Sequence, residues 1–84
     1  DYSKAIAWYL LAANQNHSHS QNYIGIFYAR GLGVSKDDHV ALEYYLKGAG
    51  NGHSGSQSNV GFRFFYGKGV QVDKYKALEW FIMS

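Results

Sequence analysis

The chain has 84 residues, a formal net charge of +2 and no cysteine, with hydrophobic residues at 46% and aromatics at 18%. A charge this small, carried on scattered lysines and arginines, implies no nucleic-acid or anionic-membrane partner. The lack of cysteine excludes a disulfide framework and thiolate chemistry, and favours a reducing compartment such as the cytoplasm only slightly. No run of about 18 apolar residues exists that could insert into a membrane.

In chain order, Asp1 to Gln15 reads as a first helix. Ala5, Trp8, Tyr9, Ala12 and Ala13 fall at three- and four-residue spacing, one apolar stripe of a 3.6-residue period. Asp1 stands where an N-cap would, and Asn16 is placed to end the helix in the left-handed conformation. Ser18-His19-Ser20-Gln21 fits a capping box, Ser at the cap and Gln three residues later. A second helix is expected from about Ser20 to Arg30, burying Ile24, Phe27 and Tyr28. Gly25 lies mid-helix, where it costs about 1 kcal/mol against Ala, so a close helix approach is expected there, with Ala13 opposite. Gly31 and Gly33 break the helix, and Val34 is expected to tuck the loop onto the core.

The pattern then starts again 36 residues on. Asp37, Ala41, Tyr44, Tyr45, Ala49, His53, Gln57, Gly61, Gly67, Gly69 and Val70 stand in register with Asp1, Ala5, Trp8, Tyr9, Ala13, His17, Gln21, Gly25, Gly31, Gly33 and Val34. Gly52 takes the helix-stop slot, Ser54-Gly55-Ser56-Gln57 repeats the capping-box pattern, and Val60 and Phe64 are the expected buried residues of the next helix. Asp73, Ala77, Trp80 and Phe81 open a third copy. Residues 1–36, 37–72 and 73–84 are therefore two units and the start of a third. A fixed period between 20 and 50 residues marks a solenoid, whose units bury their apolar faces only against neighbours. Two and a third units fall below the roughly three that usually fold alone, so the chain is expected to be a segment of a longer array.

These residues resemble the Sel-1-like repeat, a relative of the tetratricopeptide repeat. The resemblance rests on Asp37, Ala41, Tyr44-Tyr45 and Ala49, then Gln57, Val60, Gly61 and Phe64, then Gly67-x-Gly69-Val70, and it covers the whole chain. The family often has Ala where Ser20 and Ser56 stand, Pro where Ser35 and Gln71 stand, Gly in place of Asn16, and Ala in place of Gly48. Gly48, Gly50 and Gly55 together suggest a looser second unit. The resemblance implies an all-α fold, a right-handed α-α superhelix of helix-turn-helix repeats, used as a non-catalytic scaffold or adaptor for a protein or peptide partner. One bacterial branch of the family, rich in cysteine and linked to penicillin binding, is a less fitting comparison because this chain has no cysteine. Repeats accessory to a catalytic domain elsewhere in a longer protein, and end-to-end self-association through apolar end faces, are the other readings.

No constellation carries chemistry. The Gly-x-Gly loops lack the preceding strand, third glycine or Lys-Ser/Thr of nucleotide-binding loops, and they recur once per repeat as turns do. Gly48-Ala49-Gly50-Asn51-Gly52 falls where a helix must end. His17, His19, His39 and His53 lack the spacing and company of metal ligands and are read as solvated or turn-packing. No catalytic, cofactor or metal-ligating residue is assigned. Asn16-His17-Ser18 fits a glycosylation acceptor, which matters only in a lumenal or secreted setting. Glu43 stands four residues before Lys47, the spacing of a surface ion pair. A partner surface must use positions that the repeat does not fix. Ala7, Leu11, Glu43 and Lys47 are such positions on one side of the first-type helices, with Tyr23, Arg63 and Phe65 as second choices on the others.

Overall fold

The computed structural model describes residues 1–84 as five helices without a strand: α1 (Tyr2–Ala13), α2 (Ser18–Arg30), α3 (Asp38–Gly50), α4 (Ser54–Tyr66) and α5 (Lys74–Met83). Each packs on its neighbours in the chain, and the one contact that skips a helix is α2 on α4. The result is a slab of 37 × 24 × 14 Å in two rows, α1, α3 and α5 in one and α2 and α4 in the other.

The first-type helices start as expected. Asp1 accepts the Ser3 N–H, Asp37 accepts from His39 and Val40, and Asp73 accepts from Lys76. Such a cap contributes about 1 kcal/mol by satisfying donors the helix cannot pair itself. The second-type helices start differently from the capping-box expectation. Their caps are His17 and His53, whose Nδ1 atoms accept the N–H of Ser20 and Ser56. Ser18 and Ser54 are already helical. Gln21 and Gln57 are buried and donate instead to the carbonyls of Ala13 and Ala49 near the end of the preceding helix. They tie helix to helix rather than closing a box.

Two apolar clusters form the core. Ile6, Ile24 and Phe27 gather Tyr9, Leu10, Leu32 and Val34 around them. Ala41, Leu42, Tyr45, Ala49, Val60, Phe64 and Ala77 draw on α3, α4 and α5, with Val70 and Trp80 at the edge. Ile24 and Val60 occupy the same slot in successive copies and have no exposed surface. Burying each stabilises the fold by about 1.5–3 kcal/mol.

The mid-helix glycines do meet a close neighbour, but not the alanines. A Cβ at Gly25 would lie 2.7 Å from the Tyr45 ring, and one at Gly61 would lie 2.8 Å from the Phe81 ring. The glycine seats the aromatic of the next copy's first helix. Gly48 likewise permits contact rather than loosening the unit, since a Cβ there would run into the Ser56 hydroxyl. The slot shared by Trp8, Tyr44 and Trp80 follows the same rule. Tyr44 stacks on Tyr28 of the preceding helix, with centroids 6.2 Å apart, and Trp80 packs on the second cluster. Trp8, in α1, is 75% exposed.

Candidate partner-binding surface

All four first-choice positions are exposed. They are carried by two helices, α1 and α3, each of which packs on α2. Ala7 and Leu11 stand on one ridge, Glu43 and Lys47 on the next. The expected Glu43–Lys47 ion pair is absent. Glu43 faces His39 Nε2 at 3.3 Å, one turn back, and the Lys47 ammonium lies 4.8 Å from the centre of the Tyr44 ring. Lys47 also lines an open depression of about 500 Å³ between the C-terminal ends of α1 and α3, with Asn14, Asn16, Leu46 and Asn51. Ala7, Leu11 and Glu43 lie outside it.

Of the second choices, Tyr23 is exposed and stacks on Tyr9 at 5.0 Å. Phe65 is exposed beside Tyr66, with the Lys74 ammonium 5.2 Å from its ring centre. Arg63 is not available to a partner. It is 8% exposed, its guanidinium donates to the Asp38 carboxylate at 2.6 Å, and it lies over the Tyr45 ring. Burial pushes the Tyr45 hydroxyl above its usual pKa, and the Arg63 charge opposes that shift. Phe62, which the sequence reading passed over, completes an exposed aromatic group with Phe65 and Tyr66; its ring lies 4.6 Å from Tyr66.

A polar seam between successive copies was equally unforeseen. Asn16 and Asn51 exchange side-chain hydrogen bonds at 3.2 and 2.8 Å, and Asn51 also donates to Gln21. Asn22 accepts from the Ser56 hydroxyl and the Asn59 amide. His53 Nε2 lies 3.1 Å from His19 Nδ1. Asn16 has φ 64°, a conformation that Gly would adopt more cheaply, and its link to Asn51 offsets part of that cost. Burial, and secondarily the neighbouring His19, holds the His53 pKa below the usual histidine value. No three His, Cys, Asp or Glu side chains converge as metal ligands would, and no helix is long and apolar enough to cross a membrane.

Comparison with known proteins places this architecture. The model of the Sel1 repeat matches residues 1–17, 18–53 and 54–84. Its middle unit pairs α2 with α3, the most extensive helix contact in the molecule, and it keeps the same 36-residue period in a shifted frame. The search of curated proteins returned no match. Among solved structures, a Sel1 repeat protein from Oxalobacter formigenes superposes with a TM-score of 0.96 at 28% identity, over 99% of this chain and 63% of that one. The protective antigen c5321 of uropathogenic Escherichia coli, which displays an SLR fold, gives 0.97 at 31% identity, over 99% of this chain and 18% of its own. The cysteine-rich protein B of Helicobacter pylori gives 0.95 at 26% identity, over 99% and 62%. The chain thus spans less than two thirds of each of these relatives. With the repeat model matched along its whole length and its helices following that model's period, the chain belongs to the Sel1 repeat family.

Proposed function

We propose that the chain is a non-catalytic interaction module that presents the outer faces of its first-type helices to a protein or peptide. The observation that carries this is the match of the Sel1 repeat, a general protein-interaction repeat, along the whole chain. The physical support is a division of labour among positions. Residues that recur between copies are committed to caps, turns and core, whereas Ala7, Leu11, Glu43 and Lys47 vary between copies and are exposed. The units 1–36 and 37–72 then act as structural modules carrying different exposed side chains on one backbone plan.

A pull-down with the wild-type chain and with the Glu43→Lys, Lys47→Glu double variant tests the proposed face. The two substitutions preserve net charge, and both sites are exposed, so the fold should change by no more than about 0.5 kcal/mol. Capture of a partner is expected to fall at least tenfold, because reversing charges at an interface introduces like-charge contacts. Undiminished capture would exclude the face.

A second reading rests on the exposure of Trp8, Leu78 and Ile82 on the two terminal helices, at 75%, 57% and 75%. Apolar surfaces of this kind can stack copies of the chain end to end. Light scattering across a concentration series separates it from the first: a constant mass removes the self-association reading and leaves the interaction face intact.

A further inference from the structure

Near the starts of α2 and α4, which contact each other, His19 of one repeat meets His53, the cap of α4 in the next, at 3.1 Å. Two ring nitrogens at this separation need one proton between them. With none, two lone pairs face each other; with two, two N–H groups do. The cap on α4 fixes where that proton resides. His53 Nδ1 lies 2.8 Å from the Ser56 hydroxyl oxygen, whose proton can reach either Nδ1 or Asn22, and it accepts the Ser56 N–H at 3.1 Å. Ser56 is fully buried, so that amide has no water to turn to and fixes Nδ1 as an acceptor. Nδ1 is therefore bare. Neutral His53 carries its proton on Nε2 and donates it to His19 Nδ1, which leaves His19 protonated on its other nitrogen.

We propose that the His19–His53 pair is an acid-sensitive joint between successive repeats, closed while both rings are neutral and opened in two steps as they take up protons. As long as the ring–ring bridge is kept, the first added proton goes to Nδ1 of His53, either directly or by transfer across the shared bond. It keeps the ring–ring bridge but turns Nδ1 into a donor, which can find the Ser56 hydroxyl oxygen at 2.8 Å but no longer accepts the Ser56 N–H, and so removes the backbone cap of α4. The second proton leaves N–H against N–H at the bridge and separates the rings. Around the pair, the side chains that titrate are few. The His17 ring lies 6.1 Å from His19 and caps its own helix. On α3 and α4, Lys47 rests on Tyr44 and Arg63 is bound to Asp38. No carboxylate is ion-paired with either ring, so nothing nearby compensates an added charge. Asn22, with its bonds to Ser56 and Asn59, is the uncharged remainder of the same joint. Opening the histidines therefore loosens the seam without dismantling it.

The sign of the pH effect follows. Because the folded state holds His53 below its ordinary pKa of about 6.5, the unfolded chain binds the extra proton more readily. The stability contributed by the neutral ring is fully present above about pH 6.5, and is lost as pH falls from there through the folded-state value.

Two measurements on the 84-residue chain test the joint. Imidazole nitrogen chemical shifts at pH 7.5 should show His53 as the Nε2–H tautomer, its Nδ1 unprotonated. Finding His53 as the Nδ1–H tautomer would overturn the assignment. Thermal unfolding at pH 7.5 and 5.0 is the second. His19→Gln supplies a carbonyl acceptor that takes no proton, so it should retain stability at pH 7.5 and shrink the acid-induced drop in Tm by a few degrees. His53→Asp keeps an acceptor at the cap and should shrink the drop as well. An acid-induced drop in His19→Gln equal to that of the wild type would reduce His53 to a cap and eliminate the joint.

Discussion

Gly69→Ala should cost about 3 kcal/mol, from the strain of a side chain in the left-handed region together with overpacking. In a domain of this size that lowers the unfolding midpoint by on the order of 10–20 °C. Gly69 has φ 76°, and a Cβ there would run into the Asp38 carbonyl and lie 2.6 Å from its carbon. The neighbour is backbone in the first turn of α3, which cannot step aside as a side-chain end can. Gly33, one repeat earlier, sits on Tyr2 in the same way, but two of its three nearest atoms are side-chain carbons, so Gly33→Ala should cost somewhat less. Gly50→Ala provides the contrast. No atom lies within 4 Å of the added carbon and the backbone is helical, so this change should be neutral or stabilising by up to about 1 kcal/mol. Thermal or urea unfolding of the three variants checks the order. A Gly69→Ala variant as stable as wild type would show that the Gly-x-Gly loop is not clamped to α3.

That loop also illustrates how far a sequence can be read. Repetition made the glycines, the Asp caps and the buried pair Ile24 and Val60 legible, because each follows from a local rule applied twice at one offset. What went unread depends on partners distant in sequence. Ser18 with Gln21 satisfies the capping-box pattern as written, but Gln21 reaches the Ala13 carbonyl, eight residues back, and that opportunity exists only once α1 and α2 are packed. The side chain left to cap is His17, a residue type outside the usual cap preferences. Gly25 announced a close approach without naming its partner, and Tyr45 lies on the following repeat. The candidate surface was legible only as exposure. That Glu43 would turn to His39, and that Lys47 would lie over the Tyr44 ring, required the packing. One usable signal was overlooked: where two positions change together between copies, they are candidates for contact.

Asp38 and Arg63 are such a pair. Their counterparts in the first copy are Tyr2 and Phe27, whose rings meet edge to face at 5.9 Å, so one joint is built as an aromatic contact and the next as an ion pair at 2.6 Å. Arg63→Phe alone should cost about 2 kcal/mol. That is below the usual 3–5 kcal/mol for breaking a buried pair, because the Asp38 side chain is 32% exposed and can hydrate. Asp38→Tyr alone should cost about as much, since it strands a guanidinium whose side chain is only 10% exposed. Combining Asp38→Tyr with Arg63→Phe transplants the first copy's contact and should return the protein to within about 1 kcal/mol of wild type, a coupling well outside the additivity seen for independent sites. Urea unfolding of the four proteins gives the cycle directly. Purely additive losses would mean that the two joints are not interchangeable solutions to one geometry. Recovery would mean that the backbone plan accepts either chemistry and that the choice serves another end. An array of identical joints lets any second-type helix seat equally well on any first-type helix, whereas an aromatic joint next to an ionic one penalises the wrong pairing by burying an unpaired charge. The third copy has Lys74 in the slot of Tyr2 and Asp38, so no two of the three positions repeat the same chemistry.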